Sequence, residues 1–260
     1  MPDINNEIKR RELVIFYVLD TSGSMNDDGK IGVLNEAMRE TSHVLENIAK
    51  SNADAEIKIA VMQFNSGAEW VTENGPVYLE DFVWDDLKAG GLTDIGMALN
   101  ELYDKMSREK FLKSEVGQYI PVIIFMGDGY PTDNWEKALE DLKTSNKWFK
   151  RSTKIAFALG DAADEKVLAK IVGNSEAVVK TNDMELFKRL IRFVSATASM
   201  VNSSSRTSNN PINGGDIVSS FSEESGEPLD SFTPSLTAEE EEEISDVQDQ
   251  VWDDDDDDWD

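Results

Sequence analysis

The stretch DTSGSM, Asp20 to Met25, ends the apolar run LVIFYVL with one carboxylate and three hydroxyls in six residues. In an extended turn leaving a strand, residues two apart point to the same side, so Asp20, Ser22 and Ser24 converge while Thr21 and Gly23 turn away. Gly23 lets the loop close tightly. Two other segments carry the same kind of atoms: AGGLTDIG, with Thr93 and Asp94, and MGDGYPTD (126–133), with Asp128 and Asp133. Oxygen donors from three loops, without nitrogen or sulfur, suit a hard cation such as Mg²⁺, which takes near-octahedral oxygen coordination and retains waters. A lone DTSGS is equally well explained as a helix cap, its Ser and Asp satisfying free N–H groups. The two further loops favour the cation.

Other chemistries lack their reagents. The chain of 260 residues has no Cys and a single His, His43, which removes thiol catalysis, thiolate metal sites and disulfides, and leaves a His-based zinc site without partners. No phosphate-cradling loop of the GxxxxGK kind is present. The net charge is −27, and residues 201–260 hold 19 of the 52 acidic residues against one of the 25 basic ones. Such a surface repels nucleic acid and anionic membrane, so neither is expected as a partner. The first residues lack a continuous apolar segment and no run approaches a bilayer-spanning length, which predicts a soluble, cytoplasmic protein.

The elements that must position these loops alternate. Strands are predicted at 12–20, 55–65, 119–126, 153–160 and 176–180, and helices at 30–51, 94–109, 133–147, 164–172 and 183–200. AEWVT and PVYLEDF, separated by ENG, read as a hairpin. The alternation predicts an α/β fold, a mostly parallel sheet with one short antiparallel edge strand and helices on both faces. Ligands of such folds bind outside the carboxyl ends of the strands, where all three polar loops emerge. Residues 1–11 form an N-terminal extension and 12–200 the domain, while 201–260, rich in Ser, Asn, Gly and acidic runs, read as a disordered acidic tail.

DTSGSM after an apolar strand resembles the Asp-x-Ser-x-Ser motif of von Willebrand factor A domains, and the likeness covers roughly residues 10–200. It implies a Rossmann-like fold and a metal-ion-dependent adhesion site formed by Asp20, Ser22, Ser24, Thr93 of GGLTDIG and Asp128 of FMGDG. The Ser hydroxyls, and in some states the Thr, would bind Mg²⁺ (or Mn²⁺ or Ca²⁺) directly, the Asp residues through water, and a partner's Asp or Glu would take the sixth position. One departure is Gly127, where many members carry Thr or Ser. Within the family the chain looks most like the bacterial TerY and YegL type associated with tellurium resistance and general stress. That likeness implies a non-enzymatic scaffold beside phosphatase-like and kinase-like partners.

A competing resemblance is to the haloacid-dehalogenase phosphohydrolases, with Asp20 as nucleophile and Asp128 with Asp133 holding Mg²⁺. That chemistry needs a second Asp two residues after the nucleophile, and Ser22 stands there. Asp27 and Asp28 fall where some integrin relatives hold a second ion, though acidic residues there also favour the start of the next helix. Thr132 or Asp133 is expected to cap the helix at 133–147. His43, Trp70 and Trp84 read as surface or packing residues, and Trp135 as packing or as part of a partner-facing rim. The terminal VWDDDDDDWD offers Asp253, Asp254, Asp255, Asp256, Asp257 and Asp258 between Trp252 and Trp259, a candidate intrinsic ligand for the cation.

Overall fold

The structure is a computed structural model that describes residues 9–181, 183–204, 213–234, 236–237, 239–242 and 244. Its strands are β1 (Arg11–Asp20), β2 (Ala55–Asn65), β3 (Gly67–Trp70), β4 (Val77–Tyr78), β5 (Val122–Gly127), β6 (Thr153–Leu159) and β7 (Val178–Thr181). The helices are α1 (Lys30–Ser51), α2 (Ile95–Lys105), α3 (Trp135–Ser145), α4 (Lys147–Arg151), α5 (Glu165–Val172), α6 (Met184–Ser204) and α7 (Gly214–Ser225). The sheet order is β3-β2-β1-β5-β6-β7. β1 pairs in parallel with β2 on one side and β5 on the other, so the chain leaves β1 in one direction and later returns to its opposite edge. Asp20 ends β1 at that reversal, where an open α/β sheet forms its ligand crevice.

β1 is buried on both faces, and its alternation sorts two cores. Leu13, Ile15, Tyr17 and Leu19 pack toward α1, α6 and α7, whereas Val14, Phe16 and Val18 pack toward α2, α3 and α5. Tyr17, fully buried, satisfies its hydroxyl against Ser195 Oγ of α6 at 2.7 Å. Helices α1, α2, α3, α5 and α6 each begin just beyond the carboxyl edge and run back from it, so the polar turns that begin them gather at one end. No helix among the described residues is long and apolar enough to cross a membrane.

Two expectations need correction. The segments around β3 and β4 do not pair as a hairpin: both run antiparallel to β2, β3 along Met62–Asn65 and β4 along Lys58–Ile59. β2 has one free edge, and the chain fills it twice in succession. The second correction concerns the expected disordered tail over 213–233. Here α7 buries Ile217, Val218 and Phe221 against the α1–α6 side, Asn213 accepts the Gly215 N–H at 3.0 Å as its cap, and Phe232 is buried beyond it. The Phe232 carbonyl accepts the Lys180 N–H at 2.7 Å, covering the outer edge of β7. The chain then passes to the opposite face, where Leu236 and Ile244 join the α2–α3–α5 core. The run Asp253–Asp258 lies outside the described residues.

Candidate metal centre

The first loop folds around the Asp20 carboxylate. Its Oδ1 accepts the Ser22 N–H at 2.7 Å, and the Ser22 and Ser24 hydroxyls lie 3.0 Å apart, as the two-residue spacing requires. Asp20 and Ser22 are buried, and Ser24 is half-buried. Oδ2 of Asp20 is buried without a hydrogen-bond partner. An orphaned carboxylate oxygen is costly to bury, and burial pushes the Asp20 carboxyl up to about 6, opposed by the Ser22 hydroxyl and N–H and assisted by the Asp128 charge.

Backbone hydrogen bonds fasten the second loop to the first: Gly90 N–H donates to Thr21 O at 2.8 Å and Gly23 N–H to Gly91 O at 3.0 Å. Gly91, at φ +84°, is left-handed and lies against Ser66, so this approach demands glycine. The Thr93 N–H donates to Thr132 Oγ1 at 3.0 Å, and the Thr132 N–H returns to Thr93 O at 2.9 Å, which binds the second loop to the third. Thr93 is thereby held buried at the crevice.

Asp128 enters from the end of β5. A Cβ at Gly127 would lie 2.7 Å from Asp20 Cβ and 2.9 Å from Asp20 Oδ2, so the two strand ends meet only because residue 127 has no side chain. The departure from the usual Ser or Thr is therefore a packing requirement of this crevice. Asp128 is buried, its carbonyl accepts the Asp164 N–H at 2.7 Å, and its Oδ2 lies 3.2 Å from Lys30 Nζ. In the sequence Lys30 is only a lone cation after NDDG, with nothing to link it to Asp128.

The donor set fits a hard cation: two carboxylates, one of them with an unpartnered buried oxygen, and three hydroxyls, all at one strand edge. Among the described residues no group of three or more Asp, Glu, His or Cys forms a metal cluster, so such a site depends on Ser22, Ser24 and Thr93.

Asp133 has another task. Its carboxylate accepts the Gly96 N–H at 3.0 Å and the Met97 N–H at 3.2 Å, capping α2 across space rather than α3, whose cap is Asn134. Thr132 likewise donates to Asp94 Oδ1 at 3.2 Å and does not cap α3. Asp133 therefore serves backbone donors, as a phosphohydrolase metal ligand would not. Asp27 and Asp28 are exposed and precede rather than enter the first turn of α1, and His43 is exposed on α1. Trp135 is buried beneath α2 and α3 and is absent from the rim. Three other apolar side chains stand exposed on the loops and helix start around the crevice: Leu92 next to Thr93, Met97 in the first turn of α2, and Tyr130 after Asp128. Their isolation in polar loops hid them from a periodicity reading.

A doubly wound α/β sheet with hydroxyls and carboxylates meeting at its strand reversal defines a Rossmann-like domain with an oxygen-lined crevice. The chain belongs to the von Willebrand factor type A domain family, whose model matches residues 15–192. It is similar in fold to a von Willebrand factor type A protein from Catenulispora acidiphila (19% identity, TM-score 0.53, covering 72% of this chain and 43% of that one). It is also similar to the ArnB paralog VWA2 from Sulfolobus acidocaldarius (20%, 0.50, 70% and 44%). A third similar structure is proximal thread matrix protein 1 from the mussel byssus (18%, 0.52, 73% and 48%). The chain spans less than half the length of these three proteins. None of the curated protein sequences matches this chain.

Proposed function

We propose that this chain is a non-enzymatic, metal-dependent protein-binding module. Ser22, Ser24 and Thr93 would hold a divalent cation, Mg²⁺ or Mn²⁺, with Asp20 and Asp128 acting through water. The observation that carries the reading is the buried, unpartnered Oδ2 of Asp20 at the junction of three loops rich in oxygen donors. Once bound, the cation would supply attraction for a partner's Asp or Glu. Leu92, Met97 and Tyr130 would supply apolar contact around it, Tyr130 being of a residue type enriched among the anchors that dominate binding. No residue beside Asp20 is placed as a general acid: Ser22 stands two residues on and Asp133 is engaged with α2. The likeness to the TerY and YegL type supports a scaffold in a cytoplasmic stress or tellurium-resistance system with phosphatase-like or kinase-like partners.

The test is thermal unfolding with Mg²⁺ or Mn²⁺ against EDTA. A ligand that binds only the folded state stabilises by about 1.4 kcal/mol at ten times its dissociation constant. A metal-dependent rise in Tm that disappears in Ser22→Ala, with the metal-free variant still folded, supports the site. A rise that survives the combined Ser22→Ala and Asp20→Ala substitutions places the cation elsewhere.

A further inference from the structure

The crevice holds a positive charge of its own. Lys30 Nζ stands 3.2 Å from Asp128 Oδ2, with 14% of the lysine side chain and 2% of the carboxylate side chain exposed. The turn into α1 aims it there. Asp28 (φ 53°) and Gly29 (φ 72°) are both left-handed, and Asp28 is the only non-glycine at positive φ among the described residues. Two such residues in succession turn the chain sharply, and the first side chain of α1 reaches back to the strand ends. Its aliphatic stem lies along the bare backbone of Gly160, just after β6, where a Cβ would stand 3.2 Å from Lys30 Cδ and 3.5 Å from Cε and Nζ. A fourth loop thus seats the lysine beside the third.

The sign of the crevice depends on this one group. Asp20 and Asp128 are buried carboxylates, the hydroxyls of Ser22 and Thr93 carry no charge, and Lys30 is positive, so without a cation the set bears a single net negative charge. It repels an acidic ligand. With a divalent cation bound, the same set bears a single net positive charge and attracts one. Were residue 30 neutral, the two states would be doubly negative and neutral, and the loaded crevice would offer a partner's carboxylate no net attraction. The other carboxylates at this edge stand at helix starts, whose positive ends offset their charge. Asp94 and Asp133 lie at the start of α2, the latter on the Gly96 and Met97 N–H groups, and Asp164 caps α5 through the Val167 N–H. Asp128 takes one of the three N–H donors of the Lys30 ammonium, which leaves donors for a second carboxylate.

Resting on the metal-dependent reading above, we propose that Lys30 is the residue that selects the partner: it supplies the net positive charge of the loaded crevice and pairs directly with the carboxylate of an acidic peptide segment. The same ammonium opposes the cation and favours the partner. Metal affinity is lowered in exchange for a crevice whose charge changes sign on loading, so an acidic segment binds loaded protein and is repelled by the metal-free form.

The probe is an amidated pentapeptide with one central Asp between glycines, and its Asn counterpart is the control. Full-length wild type, Lys30→Met and Lys30→Arg are titrated with Mg²⁺ by calorimetry. Each is then saturated with Mg²⁺ and titrated with peptide, and binding is read from amide chemical shifts. The proposal expects Lys30→Met to bind Mg²⁺ about tenfold more tightly and the Asp peptide about tenfold more weakly. It expects Lys30→Arg, which keeps the charge, to retain peptide binding within about threefold of wild type. In EDTA no protein should bind the Asp peptide. A second measurement uses wild type alone and decides the matter if Lys30→Met does not fold. The Lys30 ammonium resonance should shift when the Asp peptide is added in Mg²⁺ and stay fixed with the Asn peptide. An unmoved resonance overturns direct pairing. Weaker binding of both Mg²⁺ and peptide in Lys30→Met makes the lysine a structural support and overturns the proposal. If Mg²⁺ binds through Ser22 but the Asp peptide binds wild type and Lys30→Met equally, or binds neither, the metal site stands and the role of Lys30 falls. If wild type takes up no Mg²⁺, the metal site itself fails and this proposal fails with it.

Discussion

Lys30 Nζ lies 3.2 Å from Asp128 Oδ2, and both side chains are largely withdrawn from solvent. The first residue of α1 thus places a positive charge on the carboxylate that the third loop brings to the crevice. A divalent cation in the same crevice shares that carboxylate with an ammonium group and is repelled by it. Two charges about 6 Å apart at a near-surface dielectric interact by a few kcal/mol, part of which the lysine escapes by moving outward. Lys30→Met is expected to tighten Mg²⁺ or Mn²⁺ binding by roughly tenfold, about 1.4 kcal/mol. Calorimetric titration of both proteins reads this directly, and equal or weaker binding by the variant would show that Lys30 supports the site instead.

The closeness of Gly127 to Asp20 yields a second expectation. Restoring the hydroxyl that many relatives carry, by Gly127→Ser, puts a Cβ 2.7 Å from Asp20 Cβ and 2.9 Å from Oδ2. Overpacking of this kind costs typically 1–3 kcal/mol, so roughly that loss in urea unfolding is expected, together with weaker metal binding. A variant of unchanged stability with tighter metal binding would show that β1 and β5 separate easily and that Gly127 is a lost ligand contact.

The strand ends and the first loop were legible because periodicity and spacing are local: LVIFYVL reads as a buried strand, and Asp20, Ser22 and Ser24 converge by alternation alone. Residue type and the strand edge marked the loops of Thr93 and Asp128, the family resemblance chose these two over Asp94 and Asp133, and the backbone staples between loops explain their placement. Lys30, the Asp133 cap on α2 and the apolar rim depend on contacts between segments far apart in sequence, which composition does not carry. The failure at 213–233 is instructive. The Ser, Asn, Gly and acidic composition made this stretch read as tail, yet Ile217, Val218 and Phe221 have helical spacing, and the glycines before them are required by contact. A Cβ at Gly214 would stand 2.1 Å from the Lys154 carbonyl, and one at Gly215 2.9 Å from Glu176 Cβ.

That contact makes α7 testable. Phe221→Ala removes a buried ring that meets Phe193 and Phe232 edge-on, and Gly214→Val forces the helix start off Lys154. Phe221→Ala is expected to cost about 3 kcal/mol if α7 unfolds with the domain. Gly214→Val is expected to abolish hydrogen-exchange protection across 214–225 and at Lys180, whose N–H is held by Phe232. Loss of protection confined to 214–225, with global stability unchanged, would make α7 a separately unfolding unit.

The raised Asp20 carboxyl gives a pH dependence whose sign is fixed by which state holds the proton. In metal-free protein Asp20 titrates near 6 in the fold, against an ordinary value of 3.8. Between those values the folded state keeps a proton that the unfolded chain has released, so this group's contribution falls as pH rises, and above 6 the cost is complete. A shift of this size corresponds to roughly 3 kcal/mol. Asp20→Asn keeps an acceptor for the Ser22 N–H and carries no charge, so the slope is expected to vanish. In EDTA the stability of the variant relative to wild type should improve by roughly 3 kcal/mol between pH 4 and pH 7, measured by urea unfolding at each pH. Saturating Mg²⁺ should then stabilise wild type above pH 6 and leave Asp20→Asn nearly unmoved, because the cation removes the cost by taking up the charge that burial disfavours. A difference between the two proteins that does not change with pH in EDTA would show that the Asp20 carboxylate is stabilised in the fold without a cation, and that the orphaned oxygen is not what the metal is for.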